Sequence, residues 1–263
     1  MAEGALLGIA ASLLAGTMTG LGGLAVAGPG VPDARRQNLL IGFAAGVMIA
    51  TAMFSLILPA WAQMRSAGAS LAYASLGVVA AVWVGALAMG RMGLWAERLA
   101  ARGLLPAQVG TIDERRIALF VLAITLHNLP EGAAVGLSFM GDDPALGWAT
   151  MLGIGLQNVP EGMAVAALLS SLGWSRARCA AAALATGFVE PIGGALAVAL
   201  AGFSAAILPW ALGFAAGAML FVVAAEIIPH TRRQAALGLG HGSATPAVMA
   251  GLALMMVLDI TLA

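Results

Sequence analysis

Lysine is absent from this chain of 263 residues, and its 12 arginines are matched by 12 acidic residues. That balance excludes a nucleic-acid binder, which needs a basic excess. The single cysteine, Cys179, excludes an intramolecular disulfide and any paired-cysteine zinc motif. Charged residues make up only 9% of the chain, against about a quarter in a soluble domain. An apolar content of 61% excludes a disordered chain as well. What the chain has in abundance is uncharged sequence in runs long enough to cross a bilayer, and the class is an all-α polytopic membrane protein.

A membrane-spanning helix takes roughly 20 apolar residues. No charge occurs in 4–32, 37–64 or 66–90, and single acids interrupt 117–141 (Glu131) and 144–175 (Glu161). The stretch 179–231 carries Glu190 and Glu226 and is too long for one crossing, so Gly202 and Pro209 mark a break. The pattern predicts eight spans, at 4–27, 38–62, 69–91, 116–140, 145–171, 177–201, 207–229 and 245–262, in a single transmembrane domain covering 1–263. The N-terminus lacks the basic region of a cleavable signal peptide. Loops after spans 1, 3, 5 and 7 hold every arginine except Arg65, a positive-inside signal that places both termini outside.

Spans 4 and 5 contain a repeat. His127-Asn128-Leu129-Pro130-Glu131-Gly132 recurs 30 residues later as Gln157-Asn158-Val159-Pro160-Glu161-Gly162. Consecutive spans run antiparallel, so the copies face each other with inverted topology, as transporter sites often do near the midplane. On a helix, residues three and four apart share a face, which groups His127, Asn128 and Glu131, and likewise Gln157, Asn158 and Glu161. Each proline frees a carbonyl one turn earlier, and each following glycine is expected to loosen the helix further. Two more acids lie beside prolines, Glu190 before Pro191 in span 6 and Glu226 before Pro229 in span 7. An ionised carboxylate at membrane depth costs several kcal/mol unless it is protonated, hydrated or neutralised by a cation. Carboxylates, amide oxygens and an imidazole in mid-membrane make a divalent-cation ligand set.

These motifs resemble the ZIP (Zrt/Irt-like) divalent-metal transporters, particularly their bacterial GufA-like branch. The resemblance extends over nearly the whole chain and includes Gly42-Phe43-Ala44-Ala45-Gly46-Val47-Met48 in span 2. It implies a 3+2+3 fold whose first and last three helices are related by inversion. Spans 1, 4, 5 and 6 would form a body moving against a dimerising wall of spans 2, 3, 7 and 8. It also implies two transported metal ions per protomer. The first would be held by Met48, His127, Glu131, Gln157 and Glu161, and the second by Asn128, Glu131, Asn158, Glu161 and Glu190. Without the resemblance Met48 reads as packing. Asn158 stands where close relatives often carry Asp, Gln157 where other branches carry a second His, and no His-rich loop is present. Ser55, two turns beyond Met48, would line the path, and Glu226 would be a wall or exit-path acid. Asp113, His241 and Asp259 read as solvated or interfacial, and Cys179 as an inert boundary thiol.

The expected function is import of divalent metal across a bacterial inner membrane by a homodimer that prefers Zn²⁺ or Cd²⁺ and also takes Fe²⁺, Mn²⁺ or Co²⁺. No cofactor or enzyme activity is expected; an intramembrane metalloenzyme and a cation channel are the rival readings. HExxH and GxxxxGK[ST] are both missing. The arginine asymmetry makes a direct prediction. In a Cys179→Ser background, Ser66→Cys should react with an impermeant thiol reagent applied outside intact cells, and Ser175→Cys should not. The reverse labelling pattern would overturn the orientation.

Overall fold

The structure is a computed structural model that describes residues 2–27, 33–101, 112–141, 143–229, 231 and 244–262. Among the described residues every regular element is helical, and eight helices are long and apolar enough to cross a membrane. Span 1 is Glu3–Val26, span 2 Arg35–Ser66, span 3 Leu71–Trp95 and span 4 Phe120–Ser138. Span 5 is Pro144–Ser171, span 6 Arg176–Phe203, span 7 Leu208–Ala225 and span 8 Ala244–Thr261. Each matches one expected crossing. Span 2 begins earlier than expected because Asp33 caps it, its carboxylate accepting from the Arg36 N–H at 2.8 Å. The expected break before span 7 is a short turn at Ala205–Ile207, after which Pro209 falls in the first turn of the new helix.

Proline shapes five of these spans, in three ways. Pro130 and Pro160 lie inside continuous helices. Pro191 instead divides span 6 into Arg176–Gly187 and Val189–Phe203. Its ring would collide with the carbonyl four residues back, that of Gly187, so the helix steps at Phe188. In span 2, Thr51–Ile57 is wound more loosely, and the Leu58 N–H reaches the Met53 carbonyl five residues back. This widened turn lies just before Pro59, whose missing N–H and bulky ring disturb the same stretch. Val223–Ile227 in span 7 repeats the arrangement before Pro229.

The spans meet through small residues. Span 1 packs on spans 5 and 6, the second half of span 6 on span 4, span 2 on span 8, and span 3 on span 7. Gly132, which follows Glu131, lies where an added Cβ would fall on the Glu190 carbonyl. Gly162, which follows Glu161, meets the Thr19 carbonyl in the same manner. The expected loosening is therefore corrected: both helices continue through these glycines, which serve to let backbones touch. Such contact gives lipid-embedded helices their van der Waals attraction, since lipid tails supply no hydrophobic drive between them. The outer faces carry large apolar side chains, among them Leu76 and Trp83 of span 3 and Ile192, Leu196 and Leu200 of span 6. That is the surface a hydrocarbon solvent favours.

Gly162→Ala and Gly132→Ala should each destabilise the purified protein by about 1–3 kcal/mol, the usual cost of overpacking. Gly202→Ala, with open space around it, should be silent. Thermal unfolding in detergent reads the difference.

Candidate metal centre

Spans 4 and 5 bring the two motif copies face to face. His127 and Glu131, one turn apart on span 4, place the imidazole Nε2 at 3.1 Å from a Glu131 oxygen. The same Nε2 lies 3.4 Å from a Glu161 oxygen of span 5. One ligand atom from each of His127, Glu131 and Glu161 falls within 4.8 Å of the others, a spacing a single metal ion can bridge. Gln157 completes this group by donating its Nε2–H to Glu131. All four side chains are buried.

A second layer lies one residue along each motif. The Asn158 side-chain nitrogen donates to the Ala15 carbonyl at 2.9 Å and to a Glu190 oxygen at 2.7 Å. The Asn128 nitrogen donates to the Thr186 carbonyl, also at 2.9 Å. Because a backbone carbonyl can only accept, these bonds determine which end of each amide is nitrogen. Both Asn Oδ1 atoms are then buried without a hydrogen-bond partner among the described residues. So are Gln157 Oε1, Glu131 Oε2, Glu190 Oε2 and both Glu161 oxygens. Buried acceptors normally find donors, and isolated exceptions call for an explanation. Here the exceptions cluster: oxygens of six residues, at three carboxylates and three amides with both Asn pinned by their nitrogens, belong to the two motif copies and Glu190, beside one imidazole. Divalent cations take such a set, with carboxylates supplying charge and amides weak neutral ligation.

The remaining sequence candidates separate. Met48 is fully buried, within the apolar cluster of Ala45, Leu56, Val135 and Ile154. Ser55 is fully buried in the widened turn of span 2 and donates to Asp259 of span 8 at 3.1 Å. This corrects the reading of Asp259 as solvated, since it is 8% exposed and paired across two spans. The pairing was invisible in sequence, because 204 residues separate the partners. Cys179 is buried near the Trp174 carbonyl. Glu226 belongs to the widened turn of span 7, but its side chain, that of Asp113, and His230 and His241 lie outside the described residues.

Eight crossings around a buried carboxylate–imidazole cluster define a metal-handling membrane protein. Comparison with known proteins narrows the class. The family model described as ZIP Zinc transporter matches residues 107–259. The chain is 41% identical over 257 residues to the zinc transporter GufA of Myxococcus xanthus, covering 97% of this chain and 98% of that one. It is 40% identical over 263 residues to the zinc transporter ZIPB of Bordetella bronchiseptica, covering 98% of this chain and 81% of the relative. Human zinc transporter ZIP11 is 39% identical over 170 residues, 62% of this chain and 48% of its own length. The chain belongs to the ZIP family, in its GufA-like branch. It is a multi-pass membrane transporter of metal ions rather than an enzyme.

Carboxylates packed this closely repel one another until a cation arrives. Saturating Zn²⁺ should therefore raise the thermal stability of the purified protein, by about 2.7 kcal/mol at a hundredfold excess over Kd, and a chelator should reverse the gain. Glu161→Gln removes one buried charge, so the metal-free variant should melt above metal-free wild type while gaining less from Zn²⁺.

Proposed function

We propose that this protein imports divalent metal into the cytoplasm of a bacterium, preferring Zn²⁺, through a two-ion site between spans 4, 5 and 6. The observation that carries the reading is the buried cluster of His127, Glu131 and Glu161, with no arginine inside spans 4 and 5 to neutralise it. The names of the relatives, zinc transporters all, support the choice of cargo. His127, Gln157, Glu131 and Glu161 hold the first ion, with Met48 as a thioether ligand from span 2. Asn128, Asn158 and Glu190 hold the second, and Glu131 and Glu161 bridge the pair. An imidazole with carboxylates favours Zn²⁺ and Cd²⁺ and tolerates Fe²⁺, Mn²⁺ and Co²⁺. Weak amide ligands beside strong anions let the cargo leave again.

Spans 1, 4, 5 and 6 move as one body against spans 2, 3, 7 and 8, in an inverted 3+2+3 arrangement with both termini outside. Supporting this division, close glycine contacts join span 1 to spans 5 and 6 and span 4 to span 6. The surfaces between the two groups carry fully buried apolar side chains such as Met48, Leu56, Leu137, Ile154 and Met219. The protein works as a homodimer in the inner membrane, with Ser55 and Glu226 along the metal path.

Uptake by sealed proteoliposomes containing a metal-sensitive dye tests the reading. Saturable Zn²⁺ entry is expected, falling on acidification because protons compete with metal for the same ligands. His127→Ala should cut Zn²⁺ uptake more than Mn²⁺ uptake, since Zn²⁺ favours imidazole and Mn²⁺ oxygen. Glu131→Ala should abolish both. Uptake that rises without saturation would identify a channel instead, and metal-dependent peptide cleavage an enzyme.

A further inference from the structure

The repeat between spans 4 and 5 is not the only one. Gly16, Thr19, Gly22 and Gly23 of span 1 recur 171 residues later as Gly187, Glu190, Gly193 and Gly194 of span 6. At the same offset, Gly42-Phe43-Ala44-Ala45-Gly46 and Met48 of span 2 recur as Gly213-Phe214-Ala215-Ala216-Gly217 and Met219 of span 7. Contacts recur with the residues. Gly22 lies against the Val159 carbonyl as Gly193 lies against that of Leu129. Gly162 meets the Thr19 carbonyl as Gly132 meets that of Glu190. Asn158 donates to the Ala15 carbonyl as Asn128 donates to that of Thr186, both at 2.9 Å. Gly46 meets the Val248 carbonyl as Gly217 meets that of Val82. Gly16 and Gly187 meet each other's carbonyls, as a pair mapped onto itself must. One exchange relates all of these: span 1 with 6, 2 with 7, 3 with 8 and 4 with 5.

That exchange carries Glu190 onto Thr19. Thr19 is fully buried, and its hydroxyl has no hydrogen-bond partner among the described residues. A helical hydroxyl in apolar surroundings ordinarily turns back to the carbonyl four residues earlier. Ser12, Thr125, Ser138 and Thr150 do so here, at 2.7–2.8 Å. For Thr19 that carbonyl belongs to Ala15, and it accepts from Asn158 instead. The Asn128 oxygen, the mirror of the Asn158 oxygen, is equally unpartnered.

We infer that the Thr19 hydroxyl is a ligand of the second cation site, opposite Glu190. The inference rests on the two-ion reading above. It completes a set of six oxygen donors in three mirror pairs: Asn128 with Asn158, Glu131 with Glu161, and Thr19 with Glu190. Six oxygens suit an octahedral, oxygen-preferring divalent cation such as Mn²⁺, whereas Zn²⁺ favours four ligands including nitrogen or sulfur. The second site therefore takes a harder ion than the first, with its imidazole, and Thr19 helps determine that preference.

Bound Mn²⁺ is counted on the purified full-length protein by electron paramagnetic resonance, with Zn²⁺ binding measured separately. Wild type should bind two Mn²⁺. Thr19→Val, which keeps the shape and removes the oxygen, should weaken the second Mn²⁺ about tenfold, the scale on which supporting metal contacts act, and leave Zn²⁺ at the first site unchanged. Thr19→Ser should behave as wild type. Glu190→Thr should lose the second ion, and adding Thr19→Glu should restore it by moving the carboxylate to its mirror position. Wild-type affinity for both ions in Thr19→Val would overturn the assignment, as would a Thr19→Ser defect equal to that of Thr19→Val. A single bound ion in wild type would instead refute the two-ion reading, and this inference with it.

Discussion

Glu131, Glu161 and Glu190 are buried carboxylates at membrane depth, in spans whose arginines, Arg176 and Arg178, lie at the start of span 6 about three turns from Glu190, and the architecture follows from that electrostatic deficit. In a low-dielectric interior such charges repel, and each has a large desolvation cost. An arginine partner would neutralise them permanently and leave nothing for a mobile cation to do. The protein instead surrounds them with one imidazole and three neutral amides, groups that orient the acids without cancelling their charge. On the proposed reading the deficit is what a divalent ion entering and leaving the site would offset.

Holding such a cluster in place demands rigid helices, and rigidity comes from backbone contact. The two asparagines are anchored on carbonyls of spans 1 and 6, so the geometry of the cluster depends on how closely those spans approach. Gly132 and Gly162 permit that approach directly beside Glu131 and Glu161. The Asn-x-Pro-Glu-Gly motif thus combines buried polar side chains, helix irregularity and packing seat within one turn and a half. Its proline leaves a carbonyl without its usual donor, and its glycine brings a neighbouring backbone near.

The other four spans have a different chemistry. Their described interior is mainly methionine, leucine, alanine and glycine, with Asn38, Thr51 and the Ser55–Asp259 pair as buried polar groups. Widened turns before Pro59 and Pro229 place local irregularity at related points of spans 2 and 7. Such turns are frequent at functional sites because they redirect side chains without ending the helix.

Much of this was legible in the sequence, because the bilayer imposes a strong one-dimensional rule: apolar runs of fixed minimum length, with charge excluded unless it has a purpose. That rule gave the eight crossings, and helical periodicity put His127, Asn128 and Glu131 on one face and Gln157, Asn158 and Glu161 on another. Periodicity could not say how the faces meet. Only the tertiary structure joined Asn158 to Glu190, pinned both asparagines by their nitrogens, buried Asp259 against Ser55 and turned the motif glycines from looseners into contact points. These are relations between residues far apart in the chain, settled by helix packing, and no local pattern encodes them. The unpaired hydroxyl of Thr19 lies between the two cases: its repeat partner was written in the sequence, but only packing showed that its usual acceptor was taken.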